Sequence, residues 1–492
     1  MEQSKYLEKR IKKLENELNR LKAVESEEAY FLQRSQDQIN KRKKLLLDTK
    51  NKDFSTVSCH GLYSNDDITQ FKSQTLPIFA TTTGSGFDSL VDGSLLLSYK
   101  TINDPNKIYS RIDNSTTDHL AMKLAALEGI SIPDLTQGLV TSSGMSAIFT
   151  STMPFLQVGD NFISSNRVYG GTEQLFNVTY KKSGWQVKWV TEPWDINKWQ
   201  EQIDSKSKFL YVESPSNPTL YIADLKNLSR LAHDNNIPLI VDSTLASPAL
   251  MRPLEFGADI VIHSLTKIIG SSGRAIAGAI IAKDHIITRN SEYQDDYVNK
   301  LKGGHFRNLG TCLSPQAAAI IWDNLNTLSL RVKAVSESAL KIAEFLESHS
   351  MIEGVNYPGL PSHPQYAIAN ELFSLPDGSK GYYGFLMSFL IRGGLELTKK
   401  FAEEFNFGLQ VTDLGRDYTI WVHNATTTHG QMTSEMRAKA GVPDNLIRYS
   451  VGLEGANDAI RALERTLNKL ELNTKSQNKT MISQPGVSNI HT

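Results

Sequence analysis

The segment Gly257-Ala-Asp-Ile-Val-Ile-His-Ser-Leu-Thr-Lys267 decides how the rest of the chain is read. Asp259 to Ile262 reads as a short buried strand, and it runs out into the Ser264 and Thr266 hydroxyls and the Lys267 amine. Upstream, Ile237-Pro-Leu-Ile-Val-Asp242-Ser-Thr244 repeats the form and ends in a carboxylate. Further strand-like runs lie at Asn161 to Ser164, Gln186 to Val190, Phe209 to Glu213 and Ala275 to Ala282. Helix-like stretches, Thr117 to Glu128, Gly144 to Phe155 and Leu225 to Asn235, separate several of them. This alternation predicts an α/β fold with a largely parallel sheet and crossover helices. Ligands of such sheets bind outside the carboxyl ends of the strands, so Asp242 and Lys267 are expected to face one crevice.

Outward from this centre the texture changes twice. Neither Gly nor Pro occurs before Gly61, and the first 50 residues hold 13 Lys or Arg and 9 Asp or Glu, so residues 1–74 read as a charged helical extension and arm. Leu7, Ile11, Leu14, Leu18 and Leu21 follow a coiled-coil spacing, flanked by Glu8, Lys12, Glu15 and Lys22. A short seam of this kind fits either a coiled-coil contact or an amphipathic helix lying on the body. The basic run Lys41 to Lys44 before Leu45 raises a membrane-surface segment or a transit peptide, and the acidic residues argue against the latter. A large domain is expected over 75–325. Pro315 opens a helical stretch to Glu347, and a smaller α+β domain completes 326–472. The Ser-, Asn-, Thr- and Gln-rich tail, 473–492, is expected to be disordered.

Composition excludes several classes. A net charge of −1 over 492 residues gives no basic surface for nucleic acid. Cys59 and Cys312 are the only cysteines, too few for a disulfide framework or a zinc finger, which fits a reducing, cytoplasmic setting and no metal. No apolar run approaches the roughly 18–20 residues that span a bilayer.

The polar strand ends suggest chemistry. A partly desolvated lysine is a candidate Schiff-base nucleophile, and an upstream aspartate suits a pyridinium nitrogen, although a lysine after a strand is often a solvated loop residue. Thr141-Ser-Ser-Gly144-Met145-Ser146-Ala147 enters a helix whose free N–H groups favour a phosphate, or it is an ordinary N-cap. Tyr169-Gly-Gly-Thr172 offers an aromatic face for a planar ring, or a core tyrosine.

Taken together, the chain over roughly 75–470 resembles the Cys/Met-metabolism, or trans-sulfuration, branch of pyridoxal-phosphate enzymes. The resemblance rests on Tyr109-Ser-Arg111, Ser143-Gly-Met-Ser-Ala147, Tyr169-Gly-Gly171, Glu213-Ser-Pro-Ser-Asn217-Pro218, Val241-Asp-Ser-Thr244, the 257–267 segment, Thr428-His429 and Ile447-Arg448-Tyr-Ser-Val-Gly-Leu-Glu454. It implies the type I transferase fold, pyridoxal 5′-phosphate as cofactor, an amino-acid substrate and a homo-oligomer, typically a dimer of dimers. It implies that Lys267 carries the cofactor and shuttles protons, and that Asp242 keeps the pyridine nitrogen protonated. Tyr169 would stack on the ring and assist the leaving group, and Asn217 would sit by the phenolic oxygen. Gly144, Met145, Ser264 and Thr266 would cradle the phosphate, with Tyr109 and Arg111 reaching it from a neighbouring subunit. Arg448 would grip the substrate α-carboxylate.

Departures from the family pattern bear on the substrate. The turn Ile269-Gly-Ser-Ser-Gly-Arg274 looks one residue short, with Arg where Asp is usual, so Arg274 either recruits an acidic substrate group or faces solvent. Asp413 stands where Ser or Asn is usual and would repel a carboxylate unless protonated or turned away. Asn114-Ser-Thr116 replaces the usual Asn-Pro-Thr, and Ser243 the usual Asn. Gly171 disfavours methionine γ-lyase activity, because that subgroup places a cysteine there. The resemblance therefore implies γ-replacement on an activated homoserine, as in cystathionine γ-synthase or O-acylhomoserine sulfhydrylase. γ-Elimination, a specialised substrate, or a scaffold role on a retained fold are the alternatives.

Overall fold

The computed structural model describes residues 2–60, 75–84, 86–98, 100, 107–427 and 441–482, with 430, 433, 435 and 437, and only the backbone of 2–11 and 473–482. The Thr428-His429 pair, the arm at 61–74 and the last ten residues lie outside them. Among the described residues no helix is long and apolar enough to cross a membrane.

The large unit is built on seven strands: β1 (Thr136–Thr141), β2 (Asn161–Ser165), β3 (Gln186–Val190), β4 (Ser207–Glu213), β5 (Leu239–Asp242), β6 (Ile260–Ser264) and β7 (Gly278–Lys283). Their order is β1-β7-β6-β5-β4-β2-β3. β2 to β6 run parallel, while β7 is antiparallel to both β6 and β1. Strands β4 to β6 read Val/Ile/Leu-rich and are almost wholly buried, as strands covered on both faces must be. Three helices carry the argument below: α1 (Glu2–Thr49), α2 (Ser115–Glu128) and α3 (Gly144–Thr152).

The predicted strands all form. β1 was not among them: Thr-Gln-Gly-Leu-Val-Thr has only two apolar residues to mark it. The single helical stretch expected from Pro315 to Glu347 is two helices, α4 (Pro315–Leu325) and α5 (Leu328–Ser348). The break falls at Asn326 and Thr327, residue types that favour caps and turns over helix interiors. There Arg331, from the first turn of α5, donates to the carbonyls of Asn324, Ile268 and Ile269. The smaller unit has a five-stranded sheet, order β10-β11-β12-β9-β8: β8 (Ile352–Asn356), β9 (Leu386–Ile391), β10 (Leu409–Gln410), β11 (Ile420–His423) and β12 (Leu446–Ser450). The closing helix, α6 (Ala456–Ile482), continues past Asn473, so the first part of the expected disordered tail is helical.

α1 has two halves. From Phe31 onward it lies on the body: Phe31, Ser35, Leu46 and Thr49 are buried. Arg34 pairs with Asp88 and Asp92, and Arg42 with Asp118. The Lys41–Lys44 run is therefore part of a docked helix, with Lys43 Nζ 3.9 Å from Asp284. Residues 12–26 are exposed on every side.

Beneath Arg42 lies a buried charge cluster. Asp118 accepts from Lys107 Nζ at 2.9 Å and Lys302 Nζ at 2.7 Å, and both lysines also hold Asp113. Burial alone would raise the Asp118 pKa, but Lys107, Lys302 and Arg42 hold it well below the usual carboxylate range. Lys302→Met leaves two buried carboxylates with one buried lysine and is expected to lower stability by about 3–5 kcal/mol in urea titration. Because the folded-state pKa is depressed, the cluster's contribution is complete at neutral pH and fades as pH falls below about 4. The variant should show a correspondingly flatter acid dependence.

Candidate active site

A cavity of about 520 Å³ opens where the carboxyl ends of β4, β5 and β6 meet the N-terminus of α3 and the loop at Thr412–Leu414. Of the residues expected at the site, Gly144, Met145, Tyr169, Asn217, Asp242, Ser264, Thr266, Lys267, Asp413 and Arg448 all line it.

The floor is a pair of carboxylates. β4 and β5 are in register so that Glu213 lies beside Asp242. Asp242 accepts from Thr244 N at 3.1 Å, Thr244 Oγ1 at 2.6 Å and Tyr211 OH at 3.4 Å. Thr244 Oγ1 also accepts from Ser264 N at 2.7 Å, tying the end of β5 to the end of β6. Glu213 accepts from the backbone N of Tyr169 at 2.7 Å and of Asn217 at 2.8 Å, so one buried carboxylate positions both residues. Burial raises both pKa values, and the neighbouring Asp242 charge adds to the rise at Glu213.

The opposite end is a cradle for an anion. Ser143 caps α3 through a reciprocal bond: Ser146 N donates to Ser143 Oγ at 3.1 Å, and Ser143 N to Ser146 Oγ at 2.9 Å. That box satisfies the donors of the N-cap and of the third helical residue and leaves the Gly144 and Met145 N–H groups, at the positive end of the helix dipole, for a ligand. The fit is close. A Cβ at Gly144 would lie 2.7 Å from Ser264 Cβ, and one at Gly278 would lie 2.2 Å from Ser143 O. The Thr266 hydroxyl is engaged with both backbone groups of Ala277, so of the two expected hydroxyls Ser264 is the better placed for a phosphate. A dianionic phosphate at α3, a ring nitrogen at Asp242 and a reactive carbonyl near Lys267 together match pyridoxal phosphate.

Lys267 Nζ donates to Asp413 Oδ1 at 2.9 Å, and Asp413 is also paired with Arg416. Burial would raise the Asp413 pKa, but Lys267 and Arg416 hold it below the usual carboxylate range. Asp413 is thus ionised and engaged with the lysine, rather than protonated or turned away as its placement near a substrate carboxylate had required. Arg331 fixes the turn after Lys267 through the Ile268 and Ile269 carbonyls. Arg448, 2% exposed, donates to Asn217 Oδ1 at 3.3 Å and to the Thr412 and Asp413 carbonyls at 2.9 Å each. Burial lowers its pKa to about 10. Tyr169 is half-exposed at the cavity wall, and a Cβ at Gly171 would strike its ring at 2.4 Å, which explains the glycine there.

Three expected residues are elsewhere. Arg274 is exposed and does not line the cavity: the turn at Gly273, φ +77°, leaves it on the surface, the solvent-facing one of its two expected placements. Tyr109 and Arg111 lie on the surface away from their own chain's cavity, Arg111 donating to Arg307 O at 2.6 Å with its guanidinium 5.4 Å from the Tyr109 ring. Conversely Glu213, Thr244, Arg331 and Arg416 organise the site without having been assigned a role. Only Glu213, a carboxylate at a strand end, carried a signal in sequence.

Known proteins are similar to this chain over most of its length. The chain is 32% identical over 443 residues to an O-acetyl-L-homoserine sulfhydrylase of Leptospira meyeri, covering 84% of this chain and 96% of that one. It is 37% identical over 363 residues to an O-succinylhomoserine sulfhydrylase of Pseudomonas aeruginosa, covering 74% and 84%. A Campylobacter jejuni chain solved with N′-pyridoxyl-lysine-5′-monophosphate superimposes with a TM-score of 0.75 at 30% identity, covering 85% and 100%. The fold is therefore the type I architecture that the motifs imply. The profile of the Cys/Met metabolism PLP-dependent enzymes matches residues 55–468, and the chain belongs to that family.

Proposed function

We propose that the chain catalyses γ-replacement on an O-acylated homoserine, exchanging the ester for a sulfur nucleophile. The observation that carries this is the convergence of Lys267, Asp242 and Arg448 on one cavity, one group for each task the reaction sets. Bound pyridoxal phosphate supplies the electron sink that makes proton removal from the α and β carbons feasible. Gly144, Met145 and Ser264 would hold its phosphate, Asp242 its ring nitrogen, and Asn217 its phenolic side. Arg448 would fix the substrate α-carboxylate within the cavity that Lys267 also lines, and Lys267 Nζ would move the α and β protons. Tyr169, at the cavity wall, would assist the departing acyl oxygen. Asp413 gives the lysine ammonium a docking point while substrate occupies the cavity.

The reading is tested by supplying O-acetyl-, O-succinyl- or O-phosphohomoserine with and without sulfide or cysteine and analysing products. A thiol or thioether that retains the amino group supports replacement. Release of 2-oxobutyrate and ammonia whether or not a thiol is present would establish elimination instead. Asp413→Asn removes a negative charge beside the carboxylate subsite, and we expect KM for the amino acid to fall about three- to fivefold. A rise in KM would mean that Asp413 binds substrate.

The active unit of this reading is a cytoplasmic homo-oligomer, a dimer of dimers, in which Tyr109 and Arg111 complete a neighbour's site. Their exposure outside their own cavity and the two unpaired cysteines fit it. Lys267→Ala and Arg111→Ala chains, each inactive alone, should regain about a quarter of wild-type activity when refolded together, since half of random dimers hold one intact site. Absence of recovery would place both residues in the same site.

A further inference from the structure

Residues 12–26 of α1 are exposed around the whole helix circumference, although most helical stability in proteins comes from packing. On that stretch Leu14 is 59% exposed, Leu18 52%, Leu21 57% and Val24 39%, an apolar stripe with none of the described residues against it. The stripe has an internal register. With Leu7, Leu14 and Leu21 at the d positions, Ile11 and Leu18 fall at a, and the next two seam positions are Glu25 and Glu28. The apolar seam therefore stops before Phe31, where the helix lands on the body. One half of the helix is built for its own chain and the other half for something else.

The residues flanking the seam identify the occupant. In a parallel, in-register pair the g position of one strand faces the following e position of the other, which sets Arg10 against Glu15 and Glu17 against Lys22. Both contacts are attractive. Antiparallel alignments of the same apolar layers offset attraction with repulsion: Glu8 meets Glu15 where Arg10 meets Glu17, or Glu15 meets Glu15 and Glu17 meets Glu17 where Glu8 meets Lys22. Ile11, β-branched at one of the two apolar a positions, with leucine at d also favours two parallel strands. We propose that residues 7–24 pair with the same segment of a second copy of this chain in a parallel two-stranded coiled coil, each helix being fastened to its own body from Phe31 onward. The contact is independent of the catalytic reading above.

Disulfide trapping in the full-length chain tests this whichever two subunits are joined. In a Cys59→Ser background, Leu14→Cys places two thiols across the seam, within the Cα separation of about 4.4–6.8 Å that a disulfide accepts. Mild oxidation should convert most chains to a covalent dimer. Asn16→Cys, on the outward face, should give at least tenfold less. Equal trapping at both positions, or none at Leu14→Cys, overturns the proposal and leaves the stripe to a different partner. Adding Glu17→Lys to Leu14→Cys should reduce trapping severalfold at low salt, and Lys22→Glu on top should restore it. No effect of either charge change overturns the parallel register.

Discussion

Lys267→Ala is expected to abolish covalent attachment of the cofactor and to lower kcat/KM at least about a thousandfold, some 4 kcal/mol of transition-state stabilisation. The argument rests on position. Lys267 is the amine the cavity wall presents next to the anion cradle and the Asp242 carboxylate, and the turn that carries it is clamped by Arg331. The fold should survive, because the lysine's ion pair with Asp413 is a quarter or more exposed on both sides and worth at most about 1 kcal/mol. Borohydride treatment followed by peptide mass analysis reads the attachment directly. Wild-type protein should carry pyridoxyl on the peptide containing Lys267 and the variant none. Label on another lysine in the wild-type protein would show the assignment to be wrong, whatever the activity.

Arg448→Lys is expected to raise KM for the amino-acid substrate about 100- to 1,000-fold with a smaller change in kcat. Three of its guanidinium donors are committed to Asn217, Thr412 and Asp413, which fixes the plane and leaves donors for a carboxylate. An ammonium cannot satisfy those three acceptors and still present a second face, and breaking a buried charged contact costs about 2–5 kcal/mol. The control is the corresponding amine lacking the carboxylate. It should bind wild type and variant about equally poorly. If the variant discriminated against the amine as wild type does, the carboxylate would be held elsewhere.

How much of this was legible in sequence depends on what kind of signal each residue carries. Asp242 and Lys267 could be read because each ends an apolar run, and a run of Val, Ile and Leu that stops at a polar residue marks a strand and its carboxyl end at once. Gly144 and Met145 could be read because a cap motif is local. β1 was missed because its polar residues hide it, and the α4–α5 break because Asn and Thr weaken a helix without forbidding one. Arg331 acts on Ile268 and Ile269, and Thr244 on Ser264, groups distant in the chain, so these roles exist only once β5, β6 and α5 are assembled. Arg274 shows the converse, a charge beside a motif that the next turn carries to the surface.

The glycines of the site bear on how this protein can change. Gly144, Gly171 and Gly278 all have ordinary backbone angles, so no rule of conformation reserves them for glycine. They are held by proximity, to Ser264, to the Tyr169 ring and to the Ser143 carbonyl. A lineage could therefore alter Asp413 and explore new substrates, while Gly278 admits no single step, since a methyl group there meets the Ser143 carbonyl; at Gly171 only the half-exposed Tyr169 ring would have to move. The pocket divides into side chains that can drift and a stretch of backbone that cannot.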